Sequence, residues 1–139
     1  MHLLDTDTLT HLHAGNRKVV ESLRVLDDTD VGTTIITKIE LIRGRMDFVL
    51  KAATGHQLLR AQNLLARTEE LLEQIITVSM DDLAADRFDR LRGSHGLRKM
   101  GRADLLIASI ALANNATVVT RNLRYFRAIA SLKVVNWVD

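Results

Sequence analysis

The feature that most constrains this fold is a repeated alternation of short apolar segments with longer segments of helical periodicity. Because the apolar segments are mostly continuous rather than alternating with polar residues, they are typical of strands buried on both faces. Strands separated by helices favour a parallel sheet with helices on both faces. We therefore predict an α/β fold with an open, mostly parallel central sheet. The predicted strands are HLLD at 2–5, VGTTIIT at 31–37, IITVSM at 75–80, ATVVT at 116–120 and LKVVNW at 132–137.

The segments between the predicted strands carry distinct helical patterns. A helical insert at 38–74 follows the second strand and contains a stripe of leucines. The segment DDLAADRFDRL starts at Asp81 with residues that cap helices, and its spacing places Leu83, Phe88 and Leu91 on one apolar side. The segment RADLLIASIALANN is apolar nearly all round after Asp104, which predicts a buried helix. The stripe of the insert consists of Leu58, Leu59, Leu64, Leu65, Leu71 and Leu72.

Length and composition bound the kind of protein. The 139 residues contain no proline, repeat or linker-like segment, so a single domain over 1–139 is the simplest description. No apolar segment approaches the roughly 20 residues that span a bilayer, and no signal peptide is visible, so we expect a cytoplasmic protein. The absence of cysteine excludes disulfides and thiolate metal sites. A formal net charge of +2 is too small to argue nucleic-acid binding by bulk attraction.

Three carboxylates and one carboxamide follow the predicted strands or open the helices beside them. They are Asp5 in LLDTDTL, Glu40 in TKIELIRG, Asp104 in GRADLLIA and Asn122 in VVTRN. The carboxyl ends of parallel strands share one edge of the sheet, where open α/β folds place their ligand sites. Two carboxylates about 4 Å apart repel by about 4 kcal/mol at an effective dielectric constant of 20. Such a cluster needs cations, and its oxygen ligands favour Mg²⁺ or Mn²⁺.

Taken in order, these motifs resemble those of the PIN-domain ribonucleases, and within them the VapC-type toxins of bacterial toxin–antitoxin pairs. That family begins with a strand ending in LLDT, has T-x-x-E-L-x-x-G, opens a helix with D-L-x-I-A-A-x-A and continues with V-V-T-x-N or V-V-T-x-D. This sequence has LLDTDTL, TKIELIRG, DLLIASIALA and VVTRN in that order, and it ends in LKVVNWVD. Each motif alone is weak, but together they span essentially the whole chain.

The resemblance implies a PIN-like fold and a metal-dependent endoribonuclease that hydrolyses RNA phosphodiesters. It makes Asp5, Glu40 and Asp104 catalytic residues and ligands of Mg²⁺ or Mn²⁺, with Asn122 as a fourth, neutral contributor to the same site. Because relatives often have Asp at the fourth position, Asn122 leaves a second metal in doubt. The resemblance further implies a homodimer and a small VapB-like antitoxin whose basic residue can plug the acidic pocket.

Neighbouring residues are candidates for supporting roles. Taken alone, LLDTDTL fits a strand followed by a capped helix as well as it fits a ligand site. Asp7 stands where the family usually has Asn, and we expect it to cap the first helix rather than add charge to the rim. Thr6 and Thr120 are candidates for orienting a carboxylate or a water. Candidates for phosphate contacts, which position RNA without reading its sequence, are Arg43, Arg98, Lys99, Arg102 and Arg121.

Two other interpretations stay open at this point. LLDTDTL also matches the D-x-D-x-T opening of haloacid-dehalogenase-type phosphatases, in which Asp5 would be the nucleophile and Asp7 the acid/base. That interpretation leaves Glu40 and Asp104 without a task, and VVTRN lacks the acidic pair that those enzymes need after the fourth strand. The second alternative is a PIN-type module with a weakened site, which binds RNA or a protein without cutting it.

Overall fold

Five parallel strands and seven helices make up the computed structural model, which describes all of residues 1–139. The strands are β1 (His2–Leu4), β2 (Val31–Thr34), β3 (Ile76–Val78), β4 (Thr117–Val119) and β5 (Lys133–Val135). The helices are α1 (Thr6–His13), α2 (Arg17–Val25), α3 (Ile35–Leu50), α4 (Gly55–Gln74), α5 (Asp82–Arg92), α6 (Arg102–Ala113) and α7 (Leu123–Phe126), with a short 3-10 helix at His95–Leu97. The predicted α/β class is confirmed.

The strand order of the sheet is β3-β2-β1-β4-β5, and every neighbouring pair is parallel. Leu3 in β1 is opposite Gly32 in β2 on one side and Val118 in β4 on the other. From β1 the chain moves outward to β2 and β3, and it then crosses to β4 on the other side of β1. Ligand sites of open α/β sheets form where the strand order reverses in this way. The carboxyl-terminal end of β1 is therefore the expected location of a site.

Two hydrophobic cores cover the two faces of the sheet. Leu3 and Val118 point into a core that includes the buried side of α6 and Phe126. Their chain neighbours, Leu4 and Val119, point into a second core with residues of α1 to α4 and Trp137. Successive strand side chains face opposite sides, so the continuous apolar segments predicted from the sequence are buried on both faces. The prediction that α6 is a buried helix is confirmed, because six of its residues are buried.

The second strand is shorter than predicted, because β2 ends at Thr34 and α3 begins at Ile35. The Thr34 hydroxyl accepts a hydrogen bond from the backbone N–H of Thr37 over 3.2 Å. Thr34 is therefore the N-cap of α3. The β-branched residues of IIT favour a strand by propensity, but the cap starts a helix there. As a result, Glu40 lies in the second turn of α3 instead of just past a strand.

The helical insert consists of α3 and α4, and it begins earlier than predicted. Its leucine stripe is only partly buried: Leu72 is 6% exposed, whereas Leu58 is 44% and Leu59 is 54% exposed. The reason is that α4 packs mainly along α3, and its main contact with the sheet is with β3. The predicted helix is confirmed, and its leucine stripe is packed into the core only in the last turns of α4.

Helix α5 begins as predicted, because Asp81 Oδ1 accepts a hydrogen bond from Ala84 N over 2.8 Å. Phe88 is buried as expected, but Leu83 is 47% exposed, so its assignment to the apolar side was wrong. No helix of the structure combines the length and the apolar character needed to cross a membrane.

Candidate active site

Asp5 follows β1 directly and is the N-cap of α1. Its Oδ1 accepts a hydrogen bond from Thr8 N over 2.9 Å, and its backbone N–H donates to Val119 O over 3.0 Å. The side chain is largely buried at the junction of β1 and β4, with 8% exposure. The helix-cap interpretation of LLDTDTL is therefore confirmed, and the ligand-site interpretation stays a prediction. One carboxylate oxygen caps the helix, and the other, Oδ2, has no protein donor.

Asp104 lies in the first turn of α6, and Asn122 Nδ2 donates a hydrogen bond to its Oδ2 over 3.0 Å. Burial raises the pKa of the Asp104 carboxyl, and the negative charges of Asp5 and Glu40 raise it further. The hydrogen bond from Asn122 acts in the opposite direction and lowers that pKa. Asp5 and Glu40 therefore both lie close enough to Asp104 for their charges to act on it.

Glu40 joins α3 to the start of α1. The Thr6 hydroxyl donates to Glu40 Oε1 over 2.5 Å, and it also lies 3.5 Å from Thr37 Oγ1. The Glu40 side chain is otherwise exposed. Thr6, predicted as a residue that orients a carboxylate, does contact one.

Asn122 is held by the end of β4. Its backbone N–H donates to Thr120 Oγ1 over 2.9 Å, and Thr120 N donates to Val135 O over 2.8 Å. Thr120 is fully buried. It therefore orients the Asn122 backbone and makes no hydrogen bond to a carboxylate.

Two further buried threonines beneath this edge were not predicted as part of the site. Thr33 Oγ1 donates to Leu4 O over 2.6 Å, and Thr8 Oγ1 donates to Val119 O over 3.1 Å. Both hydroxyls therefore donate to carbonyl groups at strand ends, and the Val119 carbonyl accepts a second hydrogen bond from Asp5 N. The recurrence of threonine beside strand ends in TDTLT and GTTIIT is the signal that indicates this role.

Asp7 does not cap α1, so that expectation is wrong: the cap is Asp5, two residues earlier. The Asp7 side chain is 51% exposed in the first helical turn, and its Oδ2 lies 3.9 Å from Arg121 Nη1. Its Oδ1 lies 3.6 Å from His11 Nδ1. Asp7 therefore adds negative charge to the rim of the site.

The basic residues proposed for phosphate contacts do not form one group. Arg121 directly precedes Asn122 and is bound by Asp139 through two hydrogen bonds of 3.1 Å. The Arg102 guanidinium lies over the Phe88 ring, 5.2 Å from its centroid. The others lie on different elements: Arg98 and Lys99 follow the 3-10 helix, and Arg43 is on α3.

The site contains oxygen atoms that could bind a metal ion, but the binding site is not preformed. No three His, Asp or Glu side chains are close enough together to hold an ion. One oxygen of each carboxylate binds a protein donor: Asp5 Oδ1, Glu40 Oε1 and Asp104 Oδ2. The second oxygen of each has no protein donor and is open to a hard cation. Burial is the main cause that raises the pKa of Asp104, and the Asp5 and Glu40 charges add to it, so a cation at this position would relieve both effects. The chemistry of these oxygen ligands therefore fits a hard cation such as Mg²⁺ or Mn²⁺, which would have to draw the three side chains together.

The sequence was compared with those of known proteins and protein families. The sequence matches the PIN domain family over residues 2–132. A 38-residue segment is 53% identical to Ribonuclease VapC2 of Rickettsia felis, and this segment spans 27% of the chain and 28% of that relative.

Solved structures share the fold along almost the whole chain. The structure of VapBC2 from Rickettsia felis bound to a promoter DNA fragment covers 98% of both chains at 24% identity, with a TM-score of 0.80. The structure of FitAcB from Neisseria gonorrhoeae covers 98% of this chain and 97% of that one at 28% identity, with a TM-score of 0.77. The expectation of a PIN-like fold is confirmed.

Proposed function

The chain belongs to the PIN domain family, and on that premise we propose that residues 1–139 act as a single-domain, metal-dependent endoribonuclease, the toxin of a toxin–antitoxin pair. The proposed reaction is hydrolysis of RNA phosphodiesters in the cytoplasm. The observation that carries the proposal is the placement of three carboxylates where the strand order reverses. Asp5 follows β1, Asp104 accepts a hydrogen bond from Asn122, and Glu40 accepts one from Thr6. The name of the Rickettsia relative, a ribonuclease, supports RNA as the substrate class.

The proposed roles follow from the contacts of each side chain. Asp5 Oδ2, Asp104 Oδ1 and Glu40 Oε2, which lack protein donors, would hold Mg²⁺ or Mn²⁺. When bound, such a cation supplies positive charge at the reacting phosphate and lowers the pKa of water there. Asn122 keeps Asp104 oriented through its amide. Thr6 positions Glu40 at the mouth of the site, where the exposed carboxylate can meet an incoming RNA strand.

A cleavage assay tests this function directly. Purified protein is incubated with total RNA in Mg²⁺, Mn²⁺ or EDTA, and Asp104→Asn is compared with Asp81→Asn. Asp81 is also an aspartate at a helix start, but it lies on α5 outside the site. We expect cleavage by the wild type and by Asp81→Asn with metal, and none by Asp104→Asn or in EDTA. Equal cleavage by Asp104→Asn would remove this residue from the reaction.

The same protein samples separate the alternatives. A binding module without catalysis would retain RNA without cutting it in either metal, and calorimetry would detect no Mn²⁺ binding. A phosphatase of the D-x-D-x-T type would release phosphate from a small monoester and form an aspartyl-phosphate on Asp5. Membership of the PIN domain family argues against the phosphatase.

Protein partners are proposed from an apolar face of α3. Ile39, Met46 and Leu50 are 51%, 49% and 81% exposed, and they line a groove of about 400 Å³ with Ile35 and Ile42. Exposed apolar patches of this kind mark protein contacts. We expect this face to be covered by a cognate VapB-like antitoxin or by a second copy in a homodimer. Light scattering of the chain alone and of the chain co-expressed with its antitoxin will show which.

A further inference from the structure

A second feature of the α3–α4 hairpin lies away from this apolar face. The two helices enclose an open cleft of about 580 Å³, which we call the basic cleft. Its lining contains positive charges, amides and an aromatic ring, but no carboxylate. The polar and aromatic residues that line it are Phe48, Lys51, Gln57, Arg60, Asn63 and Arg67.

Helical spacing brings these side chains into the cleft from both sides. Arg60, Asn63 and Arg67 recur on one face of α4, at intervals of three and four residues. Phe48 and Lys51, three residues apart, occupy the facing side of α3. Met46 belongs to the other groove of α3, so that helix carries an apolar face and a basic one.

The cations of the basic cleft have no ionic partners. No carboxylate lies within 4.0 Å of Lys51, Arg60 or Arg67, whereas the surface arginines Arg90 and Arg92 are paired with aspartates of α5. The whole chain carries a net charge of only +2. Three unpaired cations around one cleft are therefore a local concentration of positive charge, which attracts polyanions.

Phe48 adds a flat apolar surface to this charge. Its side chain is 52% exposed, although most aromatic side chains of the protein are buried or half-buried. Single-stranded nucleic acids bind where cations track the backbone and an exposed aromatic ring stacks on a base. The combination of three unpaired cations with an exposed aromatic ring distinguishes this cleft from an ordinary solvated helix face.

The basic cleft is also connected to the acidic site through α1. That helix begins at Thr6, directly after its N-cap Asp5, and ends at His13, and its eight residues span about 12 Å. Burial lowers the pKa of His13, and the positive charges of Arg45 and Arg67 lower it further. The Arg67 charge therefore acts on the end of α1 that is opposite to Asp5.

We propose that the basic cleft binds a single-stranded segment of the RNA substrate outside the cleavage site. Lys51, Arg60 and Arg67 contact its phosphates, and Phe48 stacks on one of its bases. This inference rests on the proposed ribonuclease function, and it assigns to the α3–α4 hairpin a part in substrate binding. An acidic segment of a protein partner is the competing occupant.

The test measures RNA binding apart from cleavage. A fluorescently labelled single-stranded RNA oligonucleotide is titrated with protein in EDTA, and anisotropy is recorded over a series of salt concentrations. For Arg60→Gln/Arg67→Gln we expect weaker binding, and the slope of log affinity against log salt should fall by about 1.4 for two lost phosphate contacts. Phe48→Leu should weaken binding by about fivefold or more with an unchanged slope.

The matched control is Arg90→Gln/Arg92→Gln, which removes the same charge from ion-paired arginines on α5 and should leave binding near that of the wild type. Equal losses in both double variants would overturn the inference, because net charge alone would explain them. Wild-type affinity in Arg60→Gln/Arg67→Gln would also overturn it and favour the acidic protein segment. The absence of metal-dependent cleavage by the wild type is a separate result that contradicts the ribonuclease function itself.

Discussion

Asn122 donates a hydrogen bond from its side-chain amide to Oδ2 of Asp104 across 3.0 Å. This contact opposes the effects of burial and of the Asp5 and Glu40 charges, which raise the pKa of Asp104. A neutral amide can donate such a bond, whereas an ionised carboxylate at the same position could only add repulsion. The identity of residue 122 therefore sets how much negative charge the site carries before a cation binds.

Asn122→Asp should tighten Mn²⁺ binding and destabilise the metal-free protein. The extra carboxylate repels Asp104 in the absence of metal and attracts a cation when one is present. We expect a lower Tm in EDTA, a Kd for Mn²⁺ that falls by on the order of tenfold, equivalent to about 1.4 kcal/mol, and half-maximal cleavage at less metal. Calorimetry and metal titrations check this. Unchanged affinity would mean that residue 122 orients water or phosphate instead.

Asp104→Asn should stabilise the metal-free protein at neutral pH. Burial, together with Asp5 and Glu40, raises the pKa of Asp104 in the folded chain above its ordinary value of 3.8. A carboxyl with a raised folded pKa costs stability as the pH rises from the unfolded to the folded pKa. Asparagine does not ionise, so the variant does not lose this stability, and its Tm in EDTA should exceed that of the wild type at pH 7. The difference should shrink as the pH approaches 3.8; a lower Tm at pH 7 would contradict the assignment.

Two substitutions at Asp5 should separate its capping and catalytic roles. Asn retains an oxygen that can accept from Thr8 N, so Asp5→Asn should lose cleavage while keeping wild-type or higher stability in EDTA. Asp5→Ala should lose cleavage and also about 1 kcal/mol of stability through the missing cap. Chemical denaturation and cleavage assays of both variants measure the two effects. Residual cleavage by Asp5→Asn near the wild-type rate would show that the cap is its sole role.

Much of the fold could be predicted because burial on both faces leaves a continuous apolar signature in each strand. The errors lie where a local contact overrides propensity. Thr34 caps α3, so that IIT, which was predicted to be part of a strand, forms the start of a helix. Leu58 and Leu59 are exposed because α4 packs along α3, and periodicity alone does not reveal how far a helix projects beyond the sheet.

The candidate site residues were predicted from their positions near strand ends and helix starts, and their functional assignment stays a prediction, whereas their hydrogen bonds gave no signal in the sequence. Asp5 and Asp7 both qualify as helix caps by residue type, and only the geometry of the first turn shows that Asp5 fills the role. The contact of His2 with Asp28 was also missed. It joins two residues that are far apart in the sequence and that the fold brings together at the start of β1.

Asp28→Asn should destabilise the fold at neutral pH. The hydrogen bond from His2 Nδ1, 2.6 Å from Asp28 Oδ2, and that from the Asp30 backbone lower the pKa of Asp28 to about 2. A depressed carboxyl pKa contributes stability above the unfolded pKa, and this contribution is lost as the pH falls through the folded value. The Tm difference from the wild type should therefore be present at pH 7 and vanish between pH 3.8 and about 2. A pH-independent difference would point to lost packing instead.

The pair formed by Arg121 and Asp139 gives the last prediction. Arg121 precedes Asn122 at the rim of the site, and its Nε and Nη2 each donate to Asp139 over 3.1 Å. Its guanidinium is still 47% exposed. If Arg121 contacts an RNA phosphate, Asp139 competes with that phosphate for the same donors.

Asp139→Asn should therefore lower the KM for RNA by about two- to fivefold, the range of exposed ion pairs, with kcat unchanged. Arg121→Gln should raise KM. Adding Asp139→Asn to it should have no further effect on KM, because without Arg121 there is no guanidinium for which Asp139 and the phosphate compete. Steady-state kinetics of the wild type, the two single variants and the double variant form a double-mutant cycle, which isolates the effect of the Arg121–Asp139 interaction on KM. If Asp139→Asn lowers KM equally in the Arg121→Gln background, Asp139 repels RNA directly and Arg121 is not the phosphate contact.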